Sequence, residues 1–295
     1  MKLILTGSSG FAGKNFINYP KDFDIQKLSL RYQANQKIDL DNTDAVIHLA
    51  GKAHDLKKVS QPQDYYDANF ELTKQLYDAF LKSDAKKFIF ISSVKAVADS
   101  VEGVLTEEKQ PNPQTHYGKS KLMAEEYIKA QHLPKGKSYY ILRPCMIHGP
   151  GNKGNLNLLY QFVKKGIPYP LASFENKRSF LSVENLCFVI KELLEQDIPS
   201  GVYQLADDES LSTIELVKEI AETLNLKAKL WKIPAPFIKS LVKLGDSLSL
   251  PLTTERLHKL TENYIVSNKK IKQALGKEFP VTTKEGLRKT ITSFK

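Results

Sequence analysis

"LTGSSGFAGKNF", from Leu5 to Phe16, sets Gly7, Gly10 and Gly13 three residues apart, after an apolar run and at the opening of a helical pattern. Glycine suits such a place, because a tight turn between strand and helix brings backbone against backbone and leaves no room for a side chain. The helix start then offers free N–H groups to a pyrophosphate, as in the first crossover of a dinucleotide-binding sheet. This reading fixes the expected fold as α/β, a Rossmann-type doubly wound parallel sheet.

The pattern continues outward from that turn. Leu3–Leu5, Lys27–Leu30, Ala45–Ala50, Lys87–Ser92 and Ser138–Leu142 are short apolar runs, several without alternation, as strands buried on both faces require. Tyr65–Lys82 sets Tyr66, Phe70, Leu72, Leu76 and Phe80 at helical spacing, and Tyr117–Gln131 does so with Leu122, Tyr127 and Ile128. A further strand is expected near Lys37–Leu40, but "IDLDNTDAVIHLAG" leaves no room for the dozen residues of a crossover helix, so that side of the sheet is trimmed. After "LRPCMIHGPG" glycines and prolines break the rhythm. The expected division is residues 1–145 and 178–206 as a nucleotide-binding domain, with 146–177 and 207–295 as a smaller mixed α/β substrate domain.

Composition narrows the function classes. With 295 residues, 41% hydrophobic and 26% charged, the chain can bury a large core and has no disordered composition. Cys145 and Cys187 lie in apolar runs without the neighbours a zinc site or redox pair needs, so both read as core and no metal is expected. The start "MKLILTGSSG" has no secretory pattern and no stretch is long and apolar enough to span a bilayer, which makes the expected location cytoplasmic. The net charge of +10 falls entirely within Leu226–Lys295, since acids and bases balance before it. No nucleic-acid motif accompanies those lysines, so nucleic acid is not an expected partner. Most of them read as a solvated face; "PFIKSLVKLGDSLSL", with Phe237, Leu241 and Leu244 set apart from Lys239 and Lys243, could touch an anionic membrane surface weakly.

Two residues carry the chemistry. Tyr117 and Lys121 stand four apart on what reads as a solvated helix, which brings their side chains to one face. Tyr160 and Lys164 repeat the pattern, so spacing alone decides nothing. Context does: the strand "KFIFISS" ends on Ser92 and Ser93, 24 residues before Tyr117. A strand-end hydroxyl facing a tyrosine beside a lysine can orient a reacting oxygen while the ammonium favours phenolate. Tyr160 and Lys164 read as an exposed aromatic and lysine. His48 and His148 read as structural.

The G-x-x-G-x-x-G turn, "VIHLAG" at Val46–Gly51, Asn69 in "YDANFELTKQL", "FIFISSVKAV", "HYGKSKLMAEE", "LRPCMIHGPG" and "RSFLSVENL" together resemble the extended short-chain dehydrogenase/reductases of the nucleotide-sugar epimerase/dehydratase type. The match runs in order from Met1 to about Ile190. It implies that Ser93, Tyr117 and Lys121 are catalytic. Coenzyme contacts are implied at Gly7, Ser9, Gly10, Phe11, Ala12, Gly13, Arg31, Asp39, Leu40, Leu49, Ala50, Gly51, Asn69, Tyr117, Lys121 and Pro144. Substrate contacts are implied at Ser93, Lys95, Asn155 and Arg178, the last on a nucleotide diphosphate. A UDP-sugar is the implied substrate, and a homodimer stays open.

Subtype markers point further. Where an NAD enzyme carries a ribose-binding acid, "SLRYQ" offers Arg31, which favours the 2'-phosphate of NADP, with NAD as the alternative. Dehydratases of this type place an Asp-Glu pair after the strand-end hydroxyl, and here Val94 and Lys95 follow Ser93. Epimerases commonly show Ser-Ala-Thr there, and Asn where this chain has Met146. "SSVK", "HLAGKAH" and "GPGNKGNLNLL" resemble the subgroup that reduces UDP-2-acetamido-4-keto-2,6-dideoxyhexoses in making bacterial surface polysaccharide. The expectation is a 4-keto-sugar reductase, with a UDP-sugar 4-epimerase retaining NAD as the alternative.

Overall fold

The structure is a computed structural model and describes residues 1–19, 22–53, 61–152, 154–247 and 254–294. Six parallel strands form the main sheet: β1 (Lys2–Thr6), β2 (Asp24–Leu28), β3 (Ala45–His48), β4 (Lys87–Ile91), β6 (Ser138–Pro144) and β9 (Gly201–Leu205), in the order β2-β1-β3-β4-β6-β9. The two-stranded pairs are β5 (Val104–Leu105) with β10 (Ile265–Val266), and β7 (Met146–His148) with β8 (Phe180–Ser182). Successive residues of β1 point to opposite faces and both are buried, which is why the run reads as continuously apolar. Leu3 and Leu5 pack with Phe16 of α1 (Phe11–Asn18) and with Leu186, Ile190 and Leu193 of α6 (Val183–Glu195). Ile4 packs with Leu76 and Phe80 of α3 (Leu72–Lys82) and with Ala124 and Ile128 of α4 (His116–Ala130). Each buried leucine, isoleucine or phenylalanine among them contributes about 1.5–3 kcal/mol.

A separate apolar cluster joins α5 (Asn155–Lys164), α7 (Thr213–Thr223), α8 (Ala235–Ser247), α9 (Thr254–Thr261) and α11 (Thr283–Thr292) through Leu156, Leu216, Ile238, Leu257 and Leu287. Ile271 and Leu275 of α10 (Lys269–Leu275) instead join the sheet-side cluster.

Three local expectations need correction. The second strand runs Asp24–Leu28 rather than Lys27–Leu30, because its register is set by pairing with β1, Lys2 opposite Asp24 and Thr6 opposite Leu28. It is an edge strand of mostly polar residues, where pairing rather than an apolar run defines the element. Lys37–Leu40 forms no strand: the connection from β2 to β3 passes without regular structure, and Leu40 is buried beneath it. The long helix expected from Tyr65 contains a π-helical turn, Asp67–Glu71, between α2 (Pro62–Tyr66) and α3. The wider turn rotates the face, so Tyr65 and Asn69 are buried while Tyr66 and Phe70 stay half-buried.

Candidate active site

The carboxyl ends of β1, β3, β4 and β6 converge, and the chain order reverses at β1, the place where open α/β sheets bind ligands. Gly7 follows β1 with φ +68°, a conformation side chains rarely adopt, and a Cβ there would lie 2.5 Å from the Ala50 nitrogen. A Cβ on Gly13 would lie 2.3 Å from the Gly7 carbonyl oxygen. The turn therefore closes against Leu49 and Ala50 only because it is glycine. Gly10, the residue before α1, provides no side-chain cap, so the first N–H groups of that helix stay available to an anion. These features fit a dinucleotide pyrophosphate.

Around the turn, Phe11 and Ala12 are half-buried and Ser9 exposed. Arg31 is exposed in the loop after β2, and Asp39 is exposed while Leu40 packs into the core. Pro144 is buried at the end of β6.

Asn69, brought inward by the π-helical turn, ties three segments together. Its side chain accepts from the Lys52 backbone N–H at 2.8 Å and donates to the Lys52 carbonyl at 3.1 Å and the Ser120 hydroxyl at 3.0 Å. Gly51 fits between: a Cβ there would lie 2.7 Å from the Asn69 amide oxygen and 3.1 Å from Lys121 Nζ.

The helix carrying the tyrosine is seated by small residues and a cap. Thr115 accepts the Gly118 N–H at 3.1 Å, and Asp99 holds the Gln114 N–H at 2.7 Å. A Cβ on Gly118 would lie 2.4 Å from the Lys95 carbonyl oxygen, so only glycine lets α4 approach the 3-10 turn Val94–Ala96 this closely. That approach brings the Tyr117 phenol onto the Ser93 hydroxyl, with which it shares a hydrogen bond. Ser93 also accepts the Lys95 N–H at 3.2 Å.

The helix face is not solvated as expected. Ser120, Lys121, Ala124 and Glu125 are all buried. Lys121 Nζ donates to the Ile91 carbonyl at 2.8 Å and lies 4.8 Å from the Phe90 ring centre. Burial pushes its ammonium down to about 8, against the opposing pull of Glu125. For Tyr117 burial dominates too: it raises the phenol above its ordinary value of 10, opposed by the Ser93 hydrogen bond.

Behind Lys121 lies a network that spacing did not reveal. Glu125 is fully buried and receives Arg143 of β6 through Nε at 3.0 Å and Nη2 at 2.5 Å, together with the Ser92 hydroxyl. The available signal was Lys121-x-x-x-Glu125, one more turn of the same face. Lys52, on the Tyr65 ring at 5.9 Å, and Tyr65, edge-on to Tyr117 at 6.4 Å, were likewise missed.

A cavity of about 1000 Å³ opens beside Tyr117, lined by Lys95, Thr115, Tyr169, Arg178, His258 and Glu262 and by the apolar Met146, Leu156, Leu159, Phe180, Leu216 and Leu260. Arg178 Nη2 pairs with Glu262 at 2.9 Å, and its Nε has no hydrogen-bond partner among the described residues. Lys95 Nζ donates to the Asp99 carbonyl at 2.7 Å and sits 4.4 Å over the Tyr264 ring. The side chain of Asn155 lies outside the described residues.

The other titratable candidates are structural. His48 is buried between the Thr6 hydroxyl at 2.7 Å and the Thr73 hydroxyl at 2.9 Å, and desolvation lowers it to about 3. His148 is buried with Nδ1 at 2.9 Å from the Thr290 hydroxyl. Cys145 and Cys187 are buried. Tyr160 contradicts its expected exposure: it is fully buried in the cluster of α5, and only Lys164 reaches solvent.

Fold and site together define a Rossmann-type enzyme scaffold with a Ser-Tyr-Lys constellation at the strand ends. Residues 21–206 match the NAD dependent epimerase/dehydratase family. The chain belongs to that family. It is 31% identical to a UDP-glucose 4-epimerase from Vibrio cholerae over 99% of this chain and 95% of that protein. It is 30% identical to the N-acetyl-alpha-D-glucosaminyl-diphospho-ditrans,octacis-undecaprenol 4-epimerase of Escherichia coli O157:H7 over 79% of this chain and 76% of that one. Among solved structures, RMD from Pseudomonas aeruginosa complexed with NADPH shares the fold, with a TM-score of 0.73 at 21% identity, covering 99% of this chain and 98% of that one. No described helix is long and apolar enough to cross a membrane.

Proposed function

We propose that the protein is an NADPH-dependent reductase of a UDP-linked 4-keto sugar, of the UDP-2-acetamido-2,6-dideoxy-hexos-4-ulose type, acting in the supply of bacterial surface polysaccharide precursors. Residues 1–145 and 178–206 hold the coenzyme, and 146–177 and 207–295 provide most of the sugar-nucleotide cavity. The observation that carries the choice is Arg31: beyond Leu28, the partner of Thr6, the chain offers an exposed guanidinium and no carboxylate, which suits a 2'-phosphate.

The bound coenzyme would supply a hydride to the sugar's C4. Tyr117, its proton retained by burial, gives that proton to the forming alkoxide, which Ser93 holds by hydrogen bond. Lys121, fixed by the Ile91 carbonyl, keeps a positive charge close by and, with Asn69 and Gly51, would bound the nicotinamide ribose. Arg178 and Lys95 are the cations in the cavity wall for the diphosphate.

A second reading, 4-epimerisation with retained NAD, is favoured by what the two relatives are called. Mixing enzyme and NADPH with a UDP-4-keto-6-deoxy-N-acetylhexosamine should consume the reduced coenzyme stoichiometrically. Interconversion of UDP-galactose and UDP-glucose under NAD, with no NADPH consumption by the keto sugar, overturns the reductase in favour of the epimerase.

A further inference from the structure

Residues 226–240 carry four exposed lysines and the exposed aromatic residues Trp231 and Phe237. Between Leu226 and Gly245 the sequence holds five lysines and no acid. The stretch around Lys229–Lys232 runs as an extended segment beside Tyr169: the Tyr169 N–H donates to the Lys229 carbonyl at 2.8 Å and the Trp231 N–H to the Tyr169 carbonyl at 2.9 Å. Ala228, Leu230 and Ile233 pack onto the inner cluster. Strand alternation therefore sends Lys227, Lys229 and Trp231 outward, and Trp231 is 57% exposed. Helix α8 follows the same division, with Ile238 and Val242 buried and Phe237 (58% exposed) and Lys239 outside. Ile238 and Val242 form the inner stripe of α8; of the residues the sequence sets on its outer faces, Phe237 and Lys239 are exposed and the side chains of Leu241, Lys243 and Leu244 lie outside the described residues.

The outward set is Trp231 and Phe237 with lysines close to each along the chain, and none of Lys227, Lys229, Lys232 and Lys239 has a carboxylate partner among the described residues. A tryptophan with an apolar body and a polar N–H, surrounded by lysines whose stems can lie along the same plane, matches the boundary between lipid headgroups and acyl chains. A second copy of the chain does not fit, because a twofold pairing would set lysine against lysine. A nucleic acid would use the lysines and leave Phe237 and Leu226 without a role.

We propose that this face docks the protein on the surface of an anionic phospholipid bilayer, with Trp231 and Phe237 as interfacial anchors and the four lysines as headgroup contacts. The inference stands on the surface alone and not on the reaction proposed above. Its consequence for the site is positional: Tyr169, the backbone partner of Lys229 and Trp231, lines the cavity, so the docked face lies one strand away from the cavity wall.

Trp231 is the single tryptophan of the chain, which makes it the reporter. With vesicles of mixed phosphatidylcholine and phosphatidylglycerol the full chain should pellet and its tryptophan emission should move to shorter wavelength. Pure phosphatidylcholine vesicles should do neither, and added salt should weaken both effects. Each lysine near an anionic surface is worth about fivefold in affinity, so the combined Lys227→Glu, Lys229→Glu and Lys232→Glu variant should lose about 100-fold or more, with an unchanged melting temperature. The Gln versions provide the milder check should the Glu variant fold poorly. Trp231→Ser should weaken pelleting while the lysines remain. The proposal is overturned by absence of pelleting with anionic vesicles, by pelleting that survives the lysine changes, or by an emission shift produced equally by a DNA duplex at the same salt.

Discussion

The chain writes Tyr-x-x-x-Lys twice, on α4 and on α5, and the two copies do different things. On α4 the tyrosine oxygen meets Ser93 and the lysine is buried against the Ile91 carbonyl. On α5 the order is inverted: Tyr160 is sunk in an apolar cluster with no hydrogen-bond partner for its hydroxyl among the described residues, while Lys164 is exposed, 5.5 Å from the tyrosine ring centre. Helical spacing brings the two side chains together in both cases. What differs is the element opposite, a strand end with a hydroxyl in one case and an apolar wall that includes the Phe294 ring in the other.

The largest expected difference concerns the support behind α4, which α5 lacks. Glu125→Ala leaves the buried Arg143 charge without its partner, and such losses cost about 3–5 kcal/mol; chemical denaturation should register it, and a loss under about 1 kcal/mol would mean that the network is dispensable. Next comes chemistry. Tyr117→Phe should keep NADPH binding but lower turnover by about 100-fold or more, against a change within about twofold for Tyr160→Phe; equal losses would erase the distinction between the copies.

A third contrast is in pH. Lys121 loses its proton near 8, and if the ammonium form is the active one, turnover falls as pH rises through that value. Since the Glu125 charge opposes that loss, Glu125→Gln should shift the falling limb to lower pH, and a limb that stays put would sever Lys121 from Glu125. The smallest effect belongs to α5: Tyr160→Phe removes an unsatisfied buried hydroxyl and should stabilise by about 1 kcal/mol in the same denaturation assay.

These contrasts also mark what could be seen in the amino-acid order. The glycine turn was legible because Gly7 takes a left-handed φ of +68° and a Cβ on Gly13 collides with the Gly7 backbone, constraints that act within a few residues. The buried strands were legible from unbroken apolar runs. The edge strand Asp24–Leu28 was misplaced and Lys37–Leu40 overread, because an edge position is defined by what pairs with it. The faces of the helix from Pro62 to Lys82 were misassigned because one π-helical turn changes the period midway. Asn69 was nevertheless identified, through resemblance rather than through periodicity.

Local sequence by itself determined the turn, the alternation of strand and helix, and which residue types stood ready for chemistry, since each of those depends on sterics and hydrophobic period over one or two turns of chain. Only the tertiary structure decided which tyrosine meets a hydroxyl, that Lys121 and Glu125 are buried, and that Arg178 faces Glu262. Those outcomes depend on desolvation and on contacts between residues far apart in the chain, and no local pattern encodes how much water a side chain loses when another element packs over it.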